Sequence, residues 1–372
     1  MPLSTAKPNR MLHLDLLRGI FLCVIIIDHL QFFPGFFDIF TGRGYLWASA
    51  AEGFFFLSGI LLGLVRGRRE LVLPFREVVR KLWIRAGRLY LWNVLLTLIF
   101  TALAFFFAGS AGVKPGLITS TNVQAILKEA FTLQYTYGWA DFLQYYAIFL
   151  FVSPLVIWLL RRGYWWLVVF LSIGTWYVGG SSFYLSWQLL FFFGAIFGFY
   201  VDEIHTMFKG LKTRTQHTLV GITAGLAVIS FVVSYITILG SSYVRNRPGS
   251  GLSRLLPLDR LEAFNHFVSA GFDKTSLGVG RIIIFFVWFF TLYFLVKRFE
   301  PYRQLGRFGR GLIRFGQNSL YVYIMHSFVL FFLNLALPHG NNIIVNASID
   351  CGVIFFIYVC LHRRWLFRII PR

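Results

Sequence analysis

Apolar runs of about membrane length recur along the sequence, and they limit what the chain can fold into. The 372 residues are 57% hydrophobic and 19% aromatic, and the mean hydropathy is +0.68. A helical run of about twenty apolar residues matches the hydrocarbon core of a bilayer. The pattern therefore predicts an all-α, polytopic membrane protein whose residues 1–372 form a single integral-membrane domain.

We predict about ten transmembrane helices from these runs. The first run follows Lys7 and Arg10, as in a signal peptide. It is too long and too charged for one, and no small-residue cleavage site follows, so we expect an uncleaved first helix. The predicted spans cover residues 14–33, 46–65, 88–108, 142–160, 164–179, 183–201, 218–239, 281–299, 319–337 and 343–361.

The 35 lysines and arginines are unevenly divided between the two sides of this topology. If the N-terminus is cytoplasmic, most of them fall in cytoplasmic loops and tails, as the positive-inside rule requires. Both termini are therefore predicted to be cytoplasmic. The same distribution explains the net charge of +20 without a nucleic-acid partner. Cys23, Cys351 and Cys360 lie in apolar runs and show neither a metal-binding nor a disulfide pattern.

The predicted first helix has ionisable residues within its apolar run, namely Asp15, Arg18, Asp28 and His29. Such residues are costly inside a membrane and therefore point to function. Arg18 and His29 fall about 20° apart around the helix and about 16 Å apart along it. One helix face thus has a cation at its inner end and an imidazole at its outer end. The alternative is that Arg18 reaches the interface and His29 only packs.

The second predicted helix contains Glu52 at a depth similar to that of His29. A short hairpin joins the two helices, so we predict a Glu52–His29 contact in which the carboxylate makes the imidazole a better base. Pairing of Glu52 with a lysine or arginine is the alternative. Deeper in this helix, Ser58-Gly59 indicates close helix packing rather than a nucleophile.

The second cytoplasmic loop is densely basic and includes Arg66, Arg68 and Arg69. Setting the topology and touching anionic lipid would be enough to explain these charges. The same arginines are candidates for holding the phosphates of a cytoplasmic acyl donor.

Polar and aromatic residues gather near the ends of later helices and in two long outer loops, 109–141 and 240–280. They suit a sugar, but aromatic residues are also common at membrane interfaces, and the loops either hold substrate or only connect helices. His326 is a lone histidine in an apolar helix, where packing is slightly favoured. The candidates for substrate binding are Asp15, Asp28, Asp141, Tyr146, Trp187, Gln188, Asp273, Lys274, Arg281, Asn318, Ser319 and His326.

Several segments together resemble membrane-bound acyltransferases. Arg18 and His29 are similar to the Arg-x10-His signature of the acyltransferase-3 family, the OpgC-type proteins and the heparan-glucosaminide acetyltransferase relatives. Further segments follow in the order of the OpgC type, with Gln144 where proline is usual. They are AEGFFFLSG, DFLQYY, SWQLLFFFG, DKTSL with Arg281, and GQNSLYV.

The resemblance implies transfer of an acyl group, succinyl or acetyl, from a cytoplasmic donor such as acyl-CoA. The acceptor is then a hydroxyl of an extracytoplasmic glycan, and the protein lies in the bacterial inner membrane. No metal or permanently bound cofactor is implied. In the family the residues equivalent to Arg18 and His29 are essential.

Roles for the candidate residues follow from this chemistry. His29 is expected to be the general base or a transient acyl carrier, and Glu52 to orient it. Arg18 is expected to bind the donor or to stabilise charge on the thioester oxygen. An anionic glycan or a carboxylated acyl group is expected to meet three residues at the outer mouth, Asp273, Lys274 and Arg281.

A transporter or flippase is the alternative from another class, because intramembrane Arg, His and Glu also suit a translocation path. The lack of an internal repeat or of paired Gly/Pro-broken helices argues mildly against it. A structural scaffold fits the charged first helix least well. The sequence leaves open the acyl group, the glycan, whether the acyl group crosses the membrane before transfer, and whether the chain forms a homodimer.

Overall fold

A computed structural model describes residues 11–108, 122–138, 140–246 and 249–370. All regular secondary structure in these ranges is helical, as predicted. Lys7, Arg10 and residues 109–121 of the first long loop lie outside the described residues.

The helices are numbered in chain order over the described ranges. Segments with π-helical hydrogen bonding, Leu62–Arg69 and Ile236–Gly240, continue α3 and α10, and Gly42–Gly44 forms a 3-10 turn. The α-helices are α1 (Leu12–Leu30), α2 (Asp38–Thr41), α3 (Ala50–Leu61), α4 (Phe75–Phe106), α5 (Val123–Phe131), α6 (Asp141–Arg161), α7 (Trp165–Gly179), α8 (Phe183–Phe199), α9 (Val201–Gly210), α10 (Thr213–Tyr235), α11 (Ser241–Asn246), α12 (Gly251–Leu255), α13 (Leu258–Phe272), α14 (Val279–Phe299), α15 (Pro301–Gln304), α16 (Gly306–Gln317), α17 (Ser319–Ala336) and α18 (Ile343–His362).

Seven of the helical segments in the described ranges are long and apolar enough to cross a membrane, or eight if α8 and α9, bent by 68°, form one span. The ten predicted spans are therefore not confirmed. α1 has 19 residues, but Asp15, Arg18 and Asp28 make it too charged to be counted, and α7 has only 15 residues. The sides assigned to the termini stay a prediction.

Two boundaries differ from the sequence prediction in ways that move functional residues. α3 begins at Ala50 rather than at residue 46, because Ser49 and Glu52 form a capping box there. Glu52 is thus in the first turn of its helix. α4 begins at Phe75 rather than at residue 88, so Arg85 lies on a helix instead of in a loop.

α1 lies among other helices instead of at the periphery. It packs against α16, α3, α17 and α14, and most of its length is buried, including Asp15 and Arg18. α3 packs along α8, and α4 packs along α6. Since neighbouring helices surround α1, its polar side chains face protein rather than lipid, which is where such groups are tolerated.

Glycines allow the closest of these approaches. A Cβ atom at Gly59 of α3 would meet the carbonyl oxygen of Phe191 on α8, and one at Gly19 of α1 would meet that of Leu312 on α16. The backbones touch because no side chain intervenes, a common device in membrane proteins. The packing role predicted for Gly59 is confirmed.

Replacing Gly59 by alanine should destabilise the protein, because the added methyl group has no space. We expect Gly59→Ala to lower the free energy of unfolding by about 1–3 kcal/mol. Gly221→Ala on α10 is the matched control, since nothing lies within 4 Å of a Cβ at that position. Thermal unfolding in detergent measures both. Equal melting temperatures for the two variants would contradict the packing role.

Candidate active site

A pair of histidines forms the polar centre at the C-terminal end of α1. His29 Nδ1 lies 3.2 Å from His326 Nε2, and the two rings stack with their centroids 5.5 Å apart. His326, in the middle of α17, is only 1% exposed, whereas His29 is half-buried. His326 therefore contacts the residue expected to do chemistry, and its second nitrogen, Nδ1, bonds the carbonyl oxygen of Tyr323.

Glu52 has different partners from the one predicted. One carboxylate oxygen pairs with Arg281 Nε, and the other accepts hydrogen bonds from the backbone and hydroxyl groups of Ser49 at 2.9 and 2.6 Å. Both members of the ion pair are buried, Glu52 fully and Arg281 to 3% exposure. The predicted orientation of His29 by Glu52 is therefore wrong in this structure, and the arginine alternative holds.

Arg281 is correspondingly not a free cation at the outer mouth. Besides Glu52, its guanidinium group bonds the carbonyl oxygens of Leu46 and Phe272. These contacts tie α14 to the start of α3 and to the end of α13. A buried ion pair is costly to desolvate but more costly to break, so we assign Arg281 and Glu52 a structural role.

A cationic cavity of about 380 Å³ lies at the other end of α1. Arg18 lies on its wall, 7% exposed and with its guanidinium over the Phe54 ring at 5.2 Å. Ser58 also faces it, and its buried hydroxyl has no hydrogen-bond partner among the described residues. The other polar residues of the wall are Asp15, Arg66, Arg69, Arg85, Tyr146, Gln317 and Ser319.

The three loop arginines predicted to hold a donor separate into two groups. Arg66 and Arg69 line the cavity, and Arg66 also pairs with Glu70 at 2.6 Å. Arg68 points away and pairs with Glu203 at 2.5 Å. The expected donor role of Arg68 is therefore not supported. Arg85, which the sequence places among topology-setting residues, faces the cavity instead.

α17 connects the cavity with the histidine pair. Its first residue, Ser319, lines the cavity, and His326 lies two turns further along the helix. A narrow void of about 10 Å³ beside the first turns of α17 is lined by Arg18, Phe142 and Tyr323, among others. The Tyr323 ring is 4.8 Å from the His326 ring. Arg18 and His29 therefore face the same neighbouring helix, as their spacing suggests.

Lys274, between α13 and α14, acts electrostatically on the surroundings of His29. Lys274 is exposed, and its charge acts on Asp28, His29 and Asp141. Asp141 is exposed at the start of α6 and bonds Tyr323 through its side chain. Lys274 is thus a cation whose charge acts on His29.

Asp273 is held by its own loop rather than left free for a ligand. The hydroxyl and backbone groups of Ser276 donate hydrogen bonds to its carboxylate, each at 2.6 Å, and lower the pKa of that group. Trp187 donates from Nε1 to the carbonyl oxygen of Lys274 at 2.9 Å, and so supports the same loop. These contacts position Lys274 without involving a substrate.

Other predicted binding residues also make structural contacts. Gln188 donates to the carbonyl oxygens of Ser172 and Leu185, so it joins α7 to α8. Asn318 donates to the carbonyl oxygen of Arg314 at the junction of α16 and α17. The predicted substrate roles of Trp187, Gln188 and Asn318 find no support in these contacts.

The remaining acidic candidates lie at opposite ends of α1. Asp15 accepts a hydrogen bond from Gln317 at 3.2 Å on the cavity side. Asp28 bonds Thr41 on the outer side, and one of its oxygens is buried without a hydrogen-bond partner. Within the described ranges, no three His, Cys, Asp or Glu side chains are arranged to hold a metal ion.

Sequence reasoning missed Tyr323, Arg85 and Gln317. Tyr323 precedes His326 by three residues, so helical spacing alone places the two on one face. Gln317 belongs to the GQNSLYV segment, which is the one signal in the sequence for this residue. The sequence around Arg85 gives no indication of its place at the cavity, because only the early start of α4 brings this residue there.

Apolar helices around a half-buried histidine and a cationic cavity are typical of an enzyme that works within a membrane. The family model for the OpgC protein matches residues 10–367, and the chain belongs to this family. Membership indicates a membrane acyltransferase of periplasmic glucans. A search of curated proteins and a search of solved structures each found no match.

If Glu52 is structural, its neutralisation should cost stability first. We expect Glu52→Gln to lower the free energy of unfolding by about 3–5 kcal/mol, since Arg281 is then buried without its counter-charge. A double variant that carries both Glu52→Gln and Arg281→Met should recover part of the lost stability. Thermal unfolding in detergent measures this. A wild-type melting temperature for Glu52→Gln, together with lost transfer, would instead make Glu52 a participant in the chemistry.

Proposed function

We propose that the protein is an O-acyltransferase that moves an acyl group, most simply succinyl, from cytoplasmic acyl-CoA to a hydroxyl of an extracytoplasmic glycan. One observation carries the proposal. α1 and α17 together connect a cavity rich in arginine with a histidine pair at the opposite end of α1. Such an arrangement suits a reaction whose two substrates arrive from opposite sides of the bacterial inner membrane.

The cavity suits a phosphorylated donor. Arg18, Arg66, Arg69 and Arg85 present guanidinium groups to one space. Guanidinium groups bind phosphate in a bidentate manner and remain charged when buried. Of the two roles expected for Arg18, donor binding is therefore the better supported, because this residue shares the cavity with the loop arginines and not with His29.

The distance between the two ends of the site suits CoA. Eleven residues of helix separate Arg18 from His29, a rise of about 16 Å. The pantetheine arm is a flexible chain of comparable length that ends in the thioester. With the phosphates among the arginines, the arm would run past Phe142 and Tyr323, and the thioester would reach the histidine pair.

His29 is suited to be the general base, because it is half-buried and its Nε2 is not used in the contact with His326. It removes the proton from the glycan hydroxyl as that oxygen bonds to the thioester carbonyl carbon. The carbon–sulfur bond then breaks. The departing thiolate takes the proton from His29, which leaves an O-acylated glycan and free CoA.

Lys274 favours a carboxylated acyl group over acetyl. The charge of its exposed ammonium group acts on His29 and on the neighbouring Asp28 and Asp141. A succinyl group ends in a carboxylate that would pair with this lysine. An acetyl group has no atom for that contact.

Loss of the base should abolish transfer without loss of the fold. We expect His29→Ala to lower the rate by about 10²–10⁴-fold. His217→Ala, which removes an exposed histidine of α10, is the control. The measurement is mass spectrometry of extracytoplasmic glycans from cells with each variant. A mass increment with the wild type names the acyl group. An unmodified glycan in all strains would favour the transporter alternative, and full activity of His29→Ala would refute the base assignment.

Loss of a cavity arginine should weaken donor binding. A hydrogen bond to a charged group is worth about 1.5–3 kcal/mol, so we expect Arg69→Gln to raise the KM for acyl-CoA at least about tenfold. Arg76→Gln is the matched control, because this exposed arginine lies at the start of α4 outside the cavity. Steady-state kinetics with purified protein measures both. Equal KM values for the two variants would count against donor binding in the cavity.

A further inference from the structure

We infer that His326 is a positioning residue that fixes the tautomer of His29, the role that the sequence suggested for Glu52. The inference rests on the proposed function, since it requires that His29 Nε2 removes the proton. It depends on three linked atoms, the carbonyl oxygen of Tyr323 and the two ring nitrogens of His326.

The proton on His326 is placed by its own helix. Its Nδ1 lies within hydrogen-bond distance of the carbonyl oxygen of Tyr323, three residues earlier. A carbonyl oxygen can only accept, so His326 Nδ1 must carry the hydrogen. In the neutral ring, Nε2 then has the lone pair, and it points at His29.

A neutral His326 agrees with its surroundings. The ring is 1% exposed, and its nitrogens contact the carbonyl oxygen of Tyr323 and the ring of His29, neither of which is a carboxylate. The charge that acts on His29 is that of Lys274, which is a cation. A buried cation without a counter-charge would be costly, so the ring is held as an acceptor.

The state of His326 determines that of His29. With a lone pair on His326 Nε2 at 3.2 Å, His29 Nδ1 must donate, and His29 Nε2 is left free as the base. The other tautomer of His29 would oppose two lone pairs at this distance. When His29 takes up a proton, its Nδ1–H still donates to His326, now as a charge-assisted bond.

The acceptor is held rigidly. α17 fixes the backbone of His326, the Tyr323 ring packs at 4.8 Å, and Tyr323 in turn bonds Asp141. The stacked rings of the pair, inclined at 26°, leave little freedom for rotation. A catalytic histidine oriented by a buried acceptor on its other nitrogen is a general arrangement; here the acceptor is a second imidazole.

Two amide substitutions distinguish the acceptor role of His326 Nε2 from other contributions of this side chain. In His326→Gln, the amide oxygen occupies the region of Nε2 and can accept from His29 Nδ1–H. In His326→Asn, the shorter amide can still donate to the Tyr323 carbonyl oxygen but does not reach His29. We expect His326→Asn to lower kcat by about 10²–10⁴-fold with KM unchanged, since a wrong tautomer costs about that much elsewhere. We expect His326→Gln to recover most of kcat.

The measurements are steady-state kinetics and thermal unfolding of the two variants, with His29→Ala alongside. A wild-type kcat for His326→Asn, or equal losses for both amides, would overturn the inference. If His326→Asn does not fold, His326→Phe, which keeps the ring shape without an acceptor, replaces it. If His29→Ala is inactive and His326→Asn is fully active, this inference is refuted and the proposed function is not. If His29→Ala is active, the proposed base itself is refuted.

Discussion

A charge inside a bundle of apolar helices is stable only if protein groups surround it, and this constraint governs the arrangement around α1. Asp15, Arg18 and Asp28 would be costly in lipid. Neighbouring helices therefore enclose α1, and the close approach at Gly19 brings α16 against its cavity end. The same constraint explains why Glu52 is satisfied by Arg281 and by its own helix cap, with both carboxylate oxygens used.

The charged groups fall into two parts, a structural part and the candidate site. The Glu52–Arg281 pair and the loop around Asp273 are internally satisfied and hold helices and loops in place. The cavity arginines lie at one end of α1, and the half-buried His29 lies at the other end. α17 belongs to both parts, because it lines the cavity at Ser319 and supplies the partner of His29 at His326.

The spacing of residues within one helix predicted their arrangement well. The sequence did not predict the contacts between segments that lie far apart in the chain. The period of one helix is enough to place Arg18 and His29 on one face, and the small side chain of Gly59 is enough to indicate close packing. Arg281 lies 229 residues from Glu52 in the chain, and His326 lies 297 residues from His29. Such pairs depend on which helices become neighbours, and a single sequence holds no signal for that.

The narrow void lined by Arg18, Phe142 and Tyr323 has a consequence for the route from the cavity to His29. A space needs about 10–15 Å³ to hold one water molecule, and this void is about 10 Å³. The void is therefore too small for the arm of an acyl donor. In the proposed reaction, the side chains of Phe142 and Tyr323 would therefore move apart when the pantetheine arm of the donor enters.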